Sequence, residues 1–194
     1  MIKYLIISLI IIKHLIIGLL IFYLVGCGTT ISPMPSSNNT KILITPLTYT
    51  SNFQWSYIVN TLNTTQSKTI IIYWEGYGGN ISVGQYVSNA MDNARSRGVY
   101  LVVSVTGYSA SMHALNACHG SKLDLNGTLM FHIGAYNGVP DMTSSGRRTI
   151  ERLMVACVSK GIISSYDIQQ VQSGKEVYVH PGGSKTYKPD KRLK

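Results

Sequence analysis

Two β-branched runs set the limits on what this chain can become. Thr69-Ile70-Ile71-Ile72-Tyr73-Trp74 and the segment Val99–Val105 are short, continuous and apolar, without the period-two alternation of a half-solvated strand. Runs of this kind suit strands covered on both faces, as in parallel sheets under helices. Between them Val83, Tyr86, Val87, Ala90, Met91 and Ala94 recur at helical spacing, with Ser82 placed to cap the helix and Arg97-Gly98 to close it. Strand, helix, strand in that order predicts an α/β fold with largely parallel pairing.

The pattern continues on both sides. Lys41–Leu47 reads as a strand at a sheet edge, because Pro46 has no N–H to give to a neighbour. Trp55, Ile58, Val59 and Leu62 follow as an amphipathic helix. Downstream, Ser109 or Ser111 opens a short helix through Cys118, and Leu129–Ile133 is a strand. Ile150, Leu153, Met154, Cys157 and Val158 mark a helix from Ser144 to Lys160, stopped by Gly161. A helix over Ser165–Ser173 and a strand over Glu176–Val179 complete the reading.

Four stretches are expected: a leader or anchor over 1–27, a flexible tether over 28–40, a folded domain over 41–180 and a basic tail over 181–194. Met1 to Val25 holds no acid, and its apolar stretch Leu15–Val25 suits a signal h-region. Leu24-Val25-Gly26-Cys27 resembles a bacterial lipobox, which implies cleavage before Cys27 and lipid on its sulfur. The alternative is a plain transmembrane anchor over Tyr4–Val25, in which Cys27 is incidental. Lys13 would then have to snorkel, against a cost of about 2.5–3.5 kcal/mol at mid-membrane. Either way the leader predicts a membrane-associated protein, and the lipobox a lipoprotein of the cell envelope.

The formal charge is +9. Without Lys3 and Lys13, 15 bases face 8 acids, and much of the excess lies beyond Lys175. That end reads as a solvated tail. No basic-and-aromatic interleaving supports specific nucleic-acid binding. Cys118 and Cys157 have no short Cys/His spacing around them, so no metal site is expected. They fall at apolar helical positions and read as buried free thiols, with a disulfide left open for an oxidising compartment. Nothing in the chain calls for a cofactor.

Chemistry concentrates between Gly76 and His132. Gly107-Tyr108-Ser109-Ala110-Ser111-Met112 stands where a strand turns into a helix, and Met130-Phe131-His132 ends another strand. A serine hydroxyl needs a base in reach, an orienting partner for that base, and donors aimed at the developing oxyanion. Ser111 is the best nucleophile candidate and Ser109 its rival. His132 would be the general base. The N–H groups of Met112, at a helix N-terminus, and of Gly78 would face the oxyanion. The acid is open between Glu176, Asp167 and Asp141. His113, His119 and His180 read as structural or surface groups.

Gly76-Tyr77-Gly78-Gly79, the Ser111 segment and Met130-Phe131-His132 together resemble the Clp protease proteolytic subunit (ClpP), over roughly Lys41 to Val179. The family pattern is a Pro-Gly-Gly turn, a Gly-x-Ala-Ala-Ser-Met nucleophile motif and a Met-Ile-His strand. The resemblance implies a ClpP/crotonase-like stack of ββα units and a serine-type endopeptidase acting on peptides or unfolded protein. Ser111 would be the nucleophile, His132 the base, Gly78 and Met112 the oxyanion donors, and Glu176 would stand where the family has Asp. Tyr77 replaces the family's proline, and Ile133-Gly134 follows His132 where Gln-Pro is usual. The closing helix is absent. A homo-oligomer is compatible with the resemblance, while a lipobox argues against an ATP-driven unfoldase as partner. Two alternatives stay open: a decayed peptidase fold used as an interaction module, and a crotonase-like enzyme acting on acyl thioesters.

Overall fold

The computed structural model describes residues 39–193. The leader, with Cys27 and most of the tether, lies outside the described residues. Among those described, no helix is long and apolar enough to cross a membrane.

The elements alternate as the β-branched runs require. β1 (Thr40–Ile44), β2 (Thr69–Tyr73), β3 (Tyr100–Val105) and β5 (Lys122–Leu125) form one all-parallel sheet in the order β1-β2-β3-β5. Helix α1 (Asn52–Thr64) makes the β1–β2 crossover, and α2 (Ile81–Ser96) the β2–β3 crossover. The α/β class is therefore as read from the sequence. Ile70, Ile72, Leu101 and Val103 are fully buried, but Ile42 and Ile44 on β1 are exposed. Only part of this sheet is covered on both faces.

Ser111 and His132 each follow a strand of a second sheet. β4 (Tyr108–Ala110), β6 (Thr128–Phe131), β9 (Lys175–Val179) and β10 (Lys185–Pro189) lie in the order β10-β9-β6-β4. β4 and β6 are parallel, with Ala110 opposite Met130. β9 runs antiparallel to β6, and β10 antiparallel to β9. Between β4 and β5 lies α3 (Met112–Ala117), and a small hairpin of β7 (Ala135–Tyr136) and β8 (Val139–Pro140) follows β6. Helices α4 (Ser144–Ser159) and α5 (Ser165–Gln172) precede β9.

The core gathers around aromatic rings. Tyr49 stacks on Trp55 with centroids 4.3 Å apart, and Trp55 lies 5.8 Å from Trp74. All three are buried. Each indole N–H is satisfied, Trp55 Nε1 donating to Thr48 O and Trp74 Nε1 to His113 O. Burying a large apolar side chain contributes about 1.5–3 kcal/mol only if its polar atom keeps a partner.

Several expectations need correction. Asn80, not Ser82, caps α2: its Oδ1 accepts from the N–H groups of Ser82 and Val83. Cys118 and Cys157 are joined as a disulfide that ties the end of α3 to α4. Each alone reads as a buried thiol, because their separation of 39 positions in sequence conceals their meeting. The basic tail is part of the domain. Lys185–Pro189 pairs along all of β9, Lys185 Nζ binds the Asp167 carboxylate at 2.5 Å, and Tyr187 Oη donates to Asp167 at 2.7 Å. Net charge hides this pairing, because the bases of the tail answer an acid from α5.

Candidate active site

Parallel pairing explains why Ser111 and His132 meet. Each is the residue after the C-terminal end of its strand, and adjacent parallel strands put those ends at the same edge. The Ser111 N–H donates to Met130 O at 2.8 Å, anchoring the turn to the strand that carries His132. Ser111 also adopts φ 56°, ψ −126°. A positive φ is uncommon outside glycine and costs on the order of 1–3 kcal/mol unless its surroundings enforce it. A serine on a strained strand-to-helix turn, with Oγ presented outward, is the geometry of a nucleophile elbow.

Ser111 and His132 line one cleft of about 480 Å³ with Tyr77, Gly79, Asn80 and Arg192. Ser111 Oγ and His132 Nε2 have no hydrogen-bond partner among the described residues, and no hydrogen bond joins them. Ser109 is excluded as the rival. It is fully buried and its hydroxyl donates to Trp74 O at 2.8 Å.

The glycine turn packs directly on the serine. A Cβ on Gly78 would lie 2.4 Å from Ser111 Cβ, and Gly78 has φ +91°, so no other residue fits. Its N–H, however, does not face the cleft. It donates to His113 Nδ1 at 3.1 Å, which corrects the expectation that Gly78 supplies an oxyanion donor. The Gly79 N–H has no partner among the described residues, and Gly79 lines the cleft. At the start of α3 the Met112 N–H has no carbonyl to reach within its own helix. Met112 and Gly79 thus each offer a main-chain N–H with no partner among the described residues.

His113 is more than a surface group. It is fully buried, 4.4 Å from the Tyr49 ring and 5.8 Å from Trp74. Nε2 lies 2.9 Å from Pro46 O while Nδ1 takes the Gly78 N–H, so the neutral Nε2–H tautomer satisfies both. Burial lowers its pKa to about 4, against the Pro46 contact, which raises it.

Around His132 the charges differ from expectation. Sheet register carries Glu176 to the place opposite His132, since Phe131 pairs with Val177. Its carboxylate, however, accepts from Tyr178 Oη at 2.5 Å and makes no hydrogen bond to the imidazole. Asp167 is bound to Ser164, Lys185 and Tyr187, and Asp141 caps Thr143. None of the three expected acids touches the base. His132 Nδ1 instead lies 2.5 Å from Arg192 Nη2 and 2.7 Å from Ile133 O. Arg192 in turn is held by Asp190, Nε to Oδ1 at 2.9 Å and Nη2 to Oδ2 at 2.5 Å. The Asp190 side chain is completely buried. Burial lowers the His132 pKa first, the Ile133 carbonyl opposes this, and the Arg192 charge lowers it further. Burial alone would raise Asp190, but the hydrogen bonds and charge of Arg192 hold it below the usual carboxylate range.

Asp190 and Arg192 escape a sequence reading because they sit in a run of lysines. The one signal is an aspartate just after a proline in an otherwise basic stretch. Beside the cleft, Ile81, Gly134, Ala135, Ile150 and Leu153 line an apolar hollow of about 190 Å³, large enough for one side chain. Among the described residues no cluster of His, Cys, Asp or Glu could hold a metal ion. No protein-family model and no curated protein matches the chain. The likeness to ClpP therefore rests on the quoted motifs.

Proposed function

We propose that this protein is a ClpP-like serine endopeptidase, tethered to a membrane by its leader and cleaving peptides or unfolded segments of protein. The observation that carries the reading is the strained backbone of Ser111, in one cleft with His132 and at the head of α3. A backbone cost of this size has a reason when Oγ must be presented to a substrate. Attack by Ser111 Oγ on a peptide carbonyl would pass its proton to His132 Nε2. The N–H groups of Met112 and Gly79 would receive the oxyanion, and the apolar hollow would receive a substrate side chain.

Two sheets joined through a glycine turn fit the ClpP/crotonase-like stack implied by the motifs. The Cys118–Cys157 disulfide supports an oxidising compartment and so an exported domain. It weighs against an ATP-driven partner in the cytosol.

One observation favours the second reading, a decayed peptidase fold kept as an interaction module: His132 faces a guanidinium instead of a carboxylate. The test is incubation of the folded, full-length protein in detergent with a fluorophosphonate probe, with the adduct mapped by mass spectrometry. A Ser111 adduct that is lost in His132→Ala supports the peptidase. No adduct at Ser111, in either the native chain or an Arg192→Met chain, overturns it. Cleavage of unstructured peptides by the labelling-competent form then separates an endopeptidase from other serine hydrolases.

A further inference from the structure

We propose that the C-terminal turn Asp190–Leu193 is a latch on the site: Arg192 holds His132 in the tautomer that cannot act as base, and Asp190 is the acid that takes over when Arg192 withdraws. The inference rests on the serine-hydrolase reading of the cleft.

The tautomer follows from the donors. A guanidinium carries only N–H groups and stays protonated, so Arg192 Nη2 must donate wherever it makes a hydrogen bond. At 2.5 Å from His132 Nδ1 it requires that nitrogen to be an acceptor, without a proton. Nη2 has two hydrogens: one goes to Asp190 Oδ2, and the other is shared between Nδ1 and Ile133 O, the latter 2.8 Å away. The imidazole proton is thereby assigned to Nε2, the nitrogen without a partner in the cleft. An N–H in that place cannot accept the proton of Ser111 Oγ. The Arg192 charge also opposes the imidazolium that must form during acyl transfer, the reverse of what a triad carboxylate does.

Asp190 is placed to reverse both effects. Two contacts of 2.5 Å in series link its Oδ2 to His132 Nδ1 through the one nitrogen Nη2, so twice that length is the largest separation the two atoms can have. Its side chain is completely buried and its backbone is fixed by the Asp190 N–H to Gly174 O at 3.0 Å. A buried carboxylate that loses its guanidinium seeks another donor, since leaving it unpaired is costly. The neighbour that can supply one is Nδ1–H. Protonation at Nδ1 frees Nε2 for Ser111 and completes a Ser111–His132–Asp190 arrangement. The Arg192 side chain itself is 29% exposed, between the exposed residues Lys191 and Leu193, so one side of it faces solvent.

The decisive experiment compares the native full-length protein in detergent with Arg192→Met, Arg192→Ala and Arg192→Met/Asp190→Asn. Two readouts are taken, the rate of fluorophosphonate labelling at Ser111 and the ¹⁵N shifts of the His132 ring. The native ring is expected to be protonated at Nε2. In Arg192→Met the proton moves to Nδ1 and labelling accelerates at least about a hundredfold, the low end of what a working general base contributes. Adding Asp190→Asn removes the acceleration. Arg192→Ala also leaves Asp190 without a guanidinium and gives the same result should Arg192→Met fold poorly. Equal or slower labelling in both single variants overturns the latch, and so does acceleration without a change of tautomer. If no form labels, the hydrolase reading falls, and the ring tautomer alone decides whether Arg192 controls His132.

Discussion

His113 makes stability at mild acid the sharpest test of the glycine turn. An ordinary histidine titrates near 6.5, while His113 in the fold is pushed down to about 4. As pH falls, the unfolded chain takes up this proton first. The His113 contribution is thus complete above its unfolded pKa, declines from about pH 6.5 to 4, and is gone below that. A shift of this size corresponds to about 3 kcal/mol in total and about 2 kcal/mol by pH 5. Its cause is local: protonating Nδ1 removes the acceptor of the Gly78 N–H and charges a ring enclosed by Tyr49, Trp55 and Trp74. His132 is also lowered and slopes the same way, so the measurement must be a difference. Urea unfolding of native protein and His113→Gln across pH 7.5 to 4.5 isolates it. Glutamine keeps a donor for Pro46 O and does not titrate. The variant should start less stable and lose about 2 kcal/mol less between pH 7.5 and 5. Parallel pH profiles would mean that the ring is not held neutral, and the account of the turn would fail with them.

Three further outcomes are expected. Reduction of the Cys118–Cys157 bridge, which closes a segment of 39 residues, should lower unfolding free energy by about 4 kcal/mol on the chain-entropy account; unchanged urea midpoints with and without reductant would refute that. Ser111→Gly should abolish probe labelling while raising stability by about 1 kcal/mol, because relief of roughly 1–3 kcal/mol of strain exceeds the entropic cost of glycine. A loss of stability in that variant would show that the elbow is not strained. Glu176→Gln should slow labelling less than tenfold if Asp190 is the working acid, a smaller cost than removing a triad carboxylate brings; a loss of about 10⁴ would return the role to Glu176.

The α/β class was legible because it follows from local pattern. The runs Ile70–Ile72 and Leu101–Val103 show no polar alternation that would mark a solvated face, and the helical stripe between them is strict. That Ser111 and His132 would share a cleft was legible because glycine-bounded turns after apolar strands mark where strand ends gather at a sheet edge. What failed depended on long-range pairing. Gly78 was assigned its N–H role from its place in a motif, but a buried imidazole on the next turn captures that N–H. Glu176 was named from its place in the motif; register sets it opposite His132, but its carboxylate accepts from Tyr178, two residues along on the same face. Neither competition is written in spacing.

The C-terminal residues give the general reason. Lys185 and Arg192 look like surplus charge in the sequence, yet each meets a carboxylate whose side chain is almost wholly buried, Asp167 at 1% exposure and Asp190 at 0%. Removing one partner of a buried ion pair costs about 3–5 kcal/mol, whereas an exposed pair contributes about 0–1 kcal/mol. The two pairs differ in what lies beyond the carboxylate. Asp167 is saturated by Ser164, Lys185 and Tyr187, so its pair can only fasten β10 to α5. Among the described residues the Asp190 side chain accepts only from Arg192, and the same guanidinium reaches on to His132. If the proposed peptidase reading holds, a base that satisfies a buried acid and meets the His132 ring with one nitrogen couples the fold of the C-terminus to the chemistry of the cleft.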